Sequence, residues 1–221
     1  MDVLRALPNL RSIEFSRDIS EKSTAFDYWK AVMDAIIKSK KTSIESIKSP
    51  GFGYGTIHIT PPSKFKFSAK QLKDYQTTFC NLKSLGIATS INREIPDLLK
   101  PLWSFIKTFG GSLEKLTVTI THASNYTDTD EIPQGKFIKE IFSLPRLKEL
   151  RLIDIPMTMA DLQNIQKADK IENIYLEDCQ IRNPKSNWFA VLQSLRDNRW
   201  VFEPYFGSDL ISGRNNGKQR P

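Results

Sequence analysis

The chain has 221 residues, 39% hydrophobic and 26% charged, a balance that supports a buried core and excludes a disordered chain. No apolar run reaches the roughly 18 to 20 residues of a membrane-spanning helix, and "MDVLRALPNLRS" has neither the basic nor the long apolar stretch of a secretory signal. Two cysteines, Cys80 and Cys179, exclude a disulfide framework, so an intracellular compartment, cytoplasmic or nuclear, is expected. The net charge of +7 and a pI near 9.3 raise a basic module binding nucleic acid or anionic surfaces as an alternative. That charge is dispersed, densest in 38–43, 62–73 and 213–221, and reads as solvated faces and a flexible end.

In chain order the first element is "LRSIEF" (10–15), with apolar residues at positions one, four and six. A helix follows over "STAFDYWKAVMDAIIKSK", with Phe26, Trp29, Val32, Met33 and Ile36 on one face. "IESIKS" (44–49) repeats the first spacing, with Ser49 at the last apolar place. The glycines and prolines of "KSPGFGYGTIHITPPSKFKF" punctuate rather than build, and predict an insertion loop over about 50–66. "FSAKQLKDYQTTF" reads as a helix through Leu72, Tyr75 and Phe79, and leads into "LKSLGI" (82–87).

"IPDLLKPLWSFIKTFGG" is helical through Leu98, Leu102, Phe105, Ile106 and Phe109, with a bend or restart expected at Pro101 and a cap at Gly110. "LEKLTV" (113–118), a helix over "GKFIKEIFSL", "LKELRL" (147–152), a helix over "TMADLQNIQKAD" and "IENIYL" (171–176) complete the series. Thr158 with Asp161 has the spacing of a capping box, and Ser186 is an N-cap candidate. "SNWFAVLQSLRDNRWVFEPYF" places large aromatics where they would close the end of a stack, so a C-terminal cap is expected over about 184–207 and a disordered basic tail over 208–221.

Six lines of L-x-x-L-x-L type, at uneven intervals and each preceded or followed by a helical segment, constitute an internal repeat. The fourth and sixth positions lie two apart, so a strand points both to one face. One strand and one helix cannot enclose three apolar side chains; stacked neighbours can. The expected fold is therefore α/β, a single solenoid over 1–207: a curved parallel sheet of about six short strands backed by helices.

These lines resemble the leucine-rich repeat family, L-x-x-L-x-L-x-x-(N/C)-x-(L/I). "IENIYLEDCQI" sets Cys179 on the Asn/Cys place and Ile181 on the next apolar one; Asp18 stands there in the first line and Ile155 in the fifth. Cys179 is thereby read as a structural residue. Phrases such as "LPNLRSIEF", "FCNLKSLGI" and "LPRLKELRLIDI", in long uneven units, resemble the repeats that follow an F-box in fungal F-box proteins. The resemblance implies protein recognition, as the substrate-recruiting part of an F-box-type ubiquitin ligase adaptor. "MDVLRALPNL" reads as the end of a repeat helix rather than an F-box, so a Skp1-type partner is expected only if an F-box is missing from this gene product. Residues 1 to 20 are expected to expose apolar surface, and the isolated chain to aggregate or need a partner.

No enzymatic activity, cofactor or metal is expected. His58 and His122 lie near no cysteine or carboxylate at metal-ligand spacing, and no nucleophile elbow, zinc-protease or phosphate-loop motif occurs. "GFGYG" (51–55) precedes no helix, "DTDE" (128–131) lacks the EF-hand spacing, and the sequon "NYT" (125–127) reads as silent without a signal peptide. Cys80, before "NLKSL", is read as a small buried turn residue.

Residues alternating with the core pair should point outward: Ser12, Glu14 and Ser16; Ser46 and Lys48; Ser84, Gly86 and Ala88; then Lys115, Thr117 and Thr119; Glu149, Arg151 and Ile153; Asn173, Tyr175 and Glu177. The first three rows are small and nearly uncharged. The expected contact surface for a protein partner is the second half of the concave face: Lys115, Thr117, Glu149, Arg151, Ile153, Asn173, Tyr175 and Glu177.

Overall fold

The structure, a computed structural model, describes residue 7 and residues 9–15, 25–49, 61–91, 99–122, 135–157, 159–168 and 170–181. Each of the six apolar lines forms a strand: β1 (Ser12–Glu14), β2 (Ser46–Lys48), β3 (Ser84–Ile91), β4 (Lys115–His122), β5 (Glu149–Ile153) and, after a short β6 (Pro156–Met157), β7 (Asn173–Glu177). β1, β2, β3, β4, β5 and β7 lie side by side in that order, every pair parallel. One ladder row runs Ile13, Ile47, Leu85, Leu116, Leu150, Ile174, the fourth position of every line. The register is the one that superposing the lines predicts. It could not slip by one residue without turning the apolar set to the other face.

Helices α1 (Ala25–Ser39), α2 (Ala69–Thr78), α3 (Lys100–Thr108), α4 (Gly135–Ile141) and α5 (Met159–Gln166) supply the second layer. Trp29, Met33 and Ile36 of α1, Leu102, Phe105 and Ile106 of α3, and Ile138 and Ile141 of α4 are wholly buried in the same cluster as the strand leucines. In β3, β4 and β5 all three apolar positions of the line are at most 2% exposed. Burying each such side chain contributes roughly 1.5–3 kcal/mol over leaving it in water, which is why the units stack. The fold is α/β, a six-stranded parallel sheet backed by helices.

Local chemistry sets the element boundaries. Ser68 opens α2 with a capping box: its Oγ accepts the Gln71 N–H while Gln71 Oε1 accepts the Ser68 N–H. Pro101 sits in the first turn of α3, where a missing N–H costs nothing, and the expected segment before it (92–98) lies outside the described residues. Gly110 follows the cap residue Phe109, and a Cβ there would come within 3.0 Å of Leu144, so glycine admits the next unit. β5 and β7 each end at an aspartate in the left-handed region, Asp154 (φ 56°) and Asp178 (φ 49°). That turn leads β6 to a second parallel pairing with β8 (Gln180–Ile181). Thr158 of the expected capping box, the 184–207 cap with Ser186, and the 208–221 tail lie outside the described residues.

The expected insertion over 50–66 gives way to packed structure at its end. Residues 50–60 lie outside the described ones, but Pro62–Phe65 form a 3-10 turn with Phe65 1% exposed. Its ring lies 5.4 Å from Phe26, 5.9 Å from Trp29 and 5.5 Å from Phe105, centroid to centroid. Phe65 and Phe67 alternate with Lys64 and Lys66, so this stretch buries one ring, half-buries a second and leaves two lysines exposed. Phe105 is the hub of this cluster, touching Trp29, Phe65, Phe67, Tyr75 and Phe109 at 5.0–5.7 Å. The Trp29 indole N–H and the Tyr75 hydroxyl are buried there without a hydrogen-bond partner. Burial first, and Asp34 second, hold the Tyr75 phenol above its ordinary pKa.

Candidate functional site

The eight residues of the expected contact surface come together on β4, β5 and β7. Lys115, Glu149 and Asn173 form one ladder row, Thr117, Arg151 and Tyr175 the next, and Thr119, Ile153 and Glu177 the third. Alternation with the buried Leu116, Val118, Leu150, Leu152 and Ile174 puts them on the face opposite the helices. Asn173, Lys115 and Arg151 are exposed; Thr117, Glu149, Ile153, Tyr175 and Glu177 are half-buried.

The charges on this face are matched. Lys115 Nζ lies 2.6 Å from Glu149 Oε2, and that hydrogen bond, before the charge itself, raises the Lys115 pKa. Arg151 Nε donates to Glu177 Oε1 at 2.6 Å, and its guanidinium carbon stands 6.0 Å from the Tyr175 ring centroid. Arg151 thus joins a carboxylate and an aromatic face while 48% of its side chain stays in water. A planar cation held in place beside an aromatic ring keeps its remaining N–H donors in a fixed plane, free of most of the ordering cost of a long side chain.

Two features of the face depart from the sequence reading. Gly86, Ala88 and Thr119 share it but are buried, so the open part of the sheet is its strand-entry half. The first rows are also more charged than expected: Glu14 pairs with Lys48 at 3.3 Å. Immediately before each strand, Arg11, Glu45, Lys83, Glu114, Lys148 and Glu172 form a row of alternating sign, missed because the residues lie 24 or more positions apart and only the ladder makes them neighbours. Glu45 is shared by Arg11 at 2.8 Å and Lys83 at 3.3 Å, and Lys148 meets Glu172 at 3.9 Å. The hydrogen bond and charge of Lys83, then Arg11, hold the Glu45 carboxyl below its ordinary pKa.

Cys179 is buried, and its thiol donates to the Leu152 carbonyl at 3.4 Å. Burial pushes its pKa up to about 12, which removes the thiolate that nucleophilic chemistry needs. Ile155 is wholly buried at the equivalent place, so either side chain fills it. Cys80 is exposed, against the expectation of a buried turn residue, because the turn after α2 directs its buried contacts through Phe79 and Leu82 instead. His58, the "GFGYG" stretch, "NYT" and "DTDE" lie outside the described residues. Among the described residues no group of three or more His, Cys, Asp or Glu could hold a metal, and no helix is long and apolar enough to cross a membrane. A cleft of about 260 Å³ near α4 and α5, lined by Lys139, Phe142, Asn164, Lys167 and Lys170 among others, includes none of the eight face residues. Comparison of the chain with protein-family models, with curated proteins and with solved structures returned no match.

Proposed function

We propose that this chain is a leucine-rich-repeat solenoid that serves non-enzymatic protein recognition, and that the exposed side chains of β4, β5 and β7 contact the partner. The observation that carries the reading is Arg151, ordered between Glu177 and the Tyr175 ring on an accessible sheet face. Guanidinium and tyrosine are the side chains that most often dominate protein interfaces, and both are held here before any partner arrives. In the finer form of the proposal, the module recruits substrates for an F-box-type ubiquitin ligase adaptor, with a Skp1-type partner bound only through an added F-box. The support for that form is the likeness of the repeat lines alone.

The test is capture from cell extract by the tagged chain, with bound proteins identified by mass spectrometry. Arg151→Ala combined with Tyr175→Ala should remove the specific partner while leaving the far-UV circular dichroism spectrum unchanged. Undiminished capture by the double variant would refute the face. The nucleic-acid alternative would show as RNA or DNA binding that falls steeply with salt. On the described face Lys48 and Lys115 are matched by Glu14 and Glu149, which favours a protein over a polyanion.

A further inference from the structure

We propose that the outer edge of β1 docks an extended segment of a partner polypeptide as an additional parallel strand, carrying an acidic residue beside Arg11, an apolar residue beside Ile13 and a basic residue beside Glu14. This surface lies at the opposite end of the sheet from β7, so it stands or falls separately from the recognition face above.

Three observations converge on it. The first is apolar exposure. Leu10, Ile13 and Phe15 occupy the core positions of the first line, yet each is only partly buried, and nearby Leu7 is 46% exposed. At the other end Ile171 and Ile174 are 5% and 7% exposed and Leu176 alone of that line is partly buried, so the larger unsatisfied apolar row belongs to β1.

The second is the backbone. Arg11 C=O accepts from the Glu45 and Ser46 N–H groups, and Phe15 N–H donates to Lys48 C=O. Odd-numbered residues of β1 therefore face β2, and by alternation Ser12 and Glu14 turn their N–H and C=O groups to the outer edge. Among the described residues β1 has β2 as its strand neighbour on one side and none on the other. Such an edge is the template that strand addition uses.

The third is charge, and it says what the strand must look like. The row before the strands alternates in sign from Glu172 to Arg11, so the next place in it calls for an acid. The Arg11 side chain is 71% exposed and reaches one carboxylate, Glu45, on its inner side. Three residues on, Glu14 is 61% exposed and pairs inward with Lys48, so its outer side calls for a base. This chain's own β2 line, "IESIKS", has that order (Glu45, Ile47, Lys48) and answers the same edge chemistry from the inner side of β1.

The experiment titrates the full chain with the capped peptide Thr-Leu-Glu-Ser-Ile-Lys-Val-Thr and with its charge-swapped twin Thr-Leu-Lys-Ser-Ile-Glu-Val-Thr, reading amide chemical shifts of residues 10–15. The first should cause saturable shifts there and bind at least about tenfold more tightly than the second. In Ser12→Pro, which removes an outward N–H but no bond to β2, those shifts should vanish with the circular dichroism spectrum unchanged. Equal binding of the two peptides, or no shift at residues 10–15, would overturn the proposal. So would shifts there that grow with protein concentration alone, which would mean that a second copy fills the edge. The two-peptide comparison uses the unaltered chain and does not depend on a variant folding.

Discussion

The Ser49 hydroxyl accepts a hydrogen bond from the Ala88 main-chain N–H at 3.0 Å, inside the core. Ser49 stands where the other lines carry Phe, Ile, Val or Leu, and β2 stops one residue earlier, two before Pro50. Its own N–H continues the ladder to Gly86 C=O at 2.8 Å, and its side chain then supplies the next acceptor. Ser49→Ala leaves a buried N–H without that acceptor and should cost about 1–3 kcal/mol in urea unfolding. Faster hydrogen exchange at the Ala88 amide should accompany it; an unchanged midpoint would show that the side-chain bond contributes nothing.

The aromatic cluster makes two opposite predictions. Phe105→Ala removes the hub of five ring contacts and should destabilise by about 3–5 kcal/mol, enough to unfold a marginal domain. Tyr75→Phe deletes a buried hydroxyl that has no hydrogen-bond partner, keeps the ring, and should be neutral or stabilising by about 1 kcal/mol. Denaturant midpoints of the two variants decide both.

Stability should fall as pH rises from about 4 to about 6. Burial first, and the neighbouring Asp178 second, raise Asp154 from 3.8 to about 6. The folded state then binds the proton more tightly than the unfolded state, so the stabilisation is fully present below the unfolded value and is lost through the folded one. Asp154→Asn keeps a residue that tolerates the left-handed backbone and should flatten this part of the pH–stability curve. An unaltered curve in the variant would assign the dependence elsewhere.

The two thiols should react in sequence. Cys80 is exposed and Cys179 is buried with its thiol bound to Leu152 C=O. With an aromatic disulfide reagent at neutral pH, one thiol should titrate at once in the folded protein and the second only on adding denaturant. Cys80→Ser should abolish the fast phase; two fast thiols would contradict the buried position of Cys179.

The alternating row gives a salt-dependent prediction. Glu45→Lys sets a third cation between Arg11 and Lys83, so the melting temperature should drop at low salt. The deficit should shrink in about 1 M salt, where exposed charges are screened within a few ångströms. A deficit that ignores salt would point to packing instead.

How much of this was legible in the residues differs element by element. The Ile13-to-Ile174 row could be read because a line with apolar residues two apart is a strand with one buried face, and six such lines superpose in one way. Helices α1 and α3 were legible through Trp29, Met33 and Ile36 and through Leu102, Phe105 and Ile106, which recur at the helical period. Phe65 was not: the prolines and lysines around it carry a loop's composition, and only the space between α1 and α3 makes it core. Of the candidate face, the eight side chains and their rows followed from alternation, whereas the burial of Ala88 and Thr119 on that same face did not.

The chain by itself determined the α/β alternation, the parallel order and the register, because period-two and period-3.6 apolar spacing are properties of neighbours in sequence. Tertiary structure alone decided that Glu45 lies between Arg11 and Lys83, that Arg151 rests between Glu177 and Tyr175 and that Cys80 is exposed. Each of these depends on residues brought within a few ångströms across whole repeat units, and such proximity is a property of the stacked sheet rather than of any segment within it.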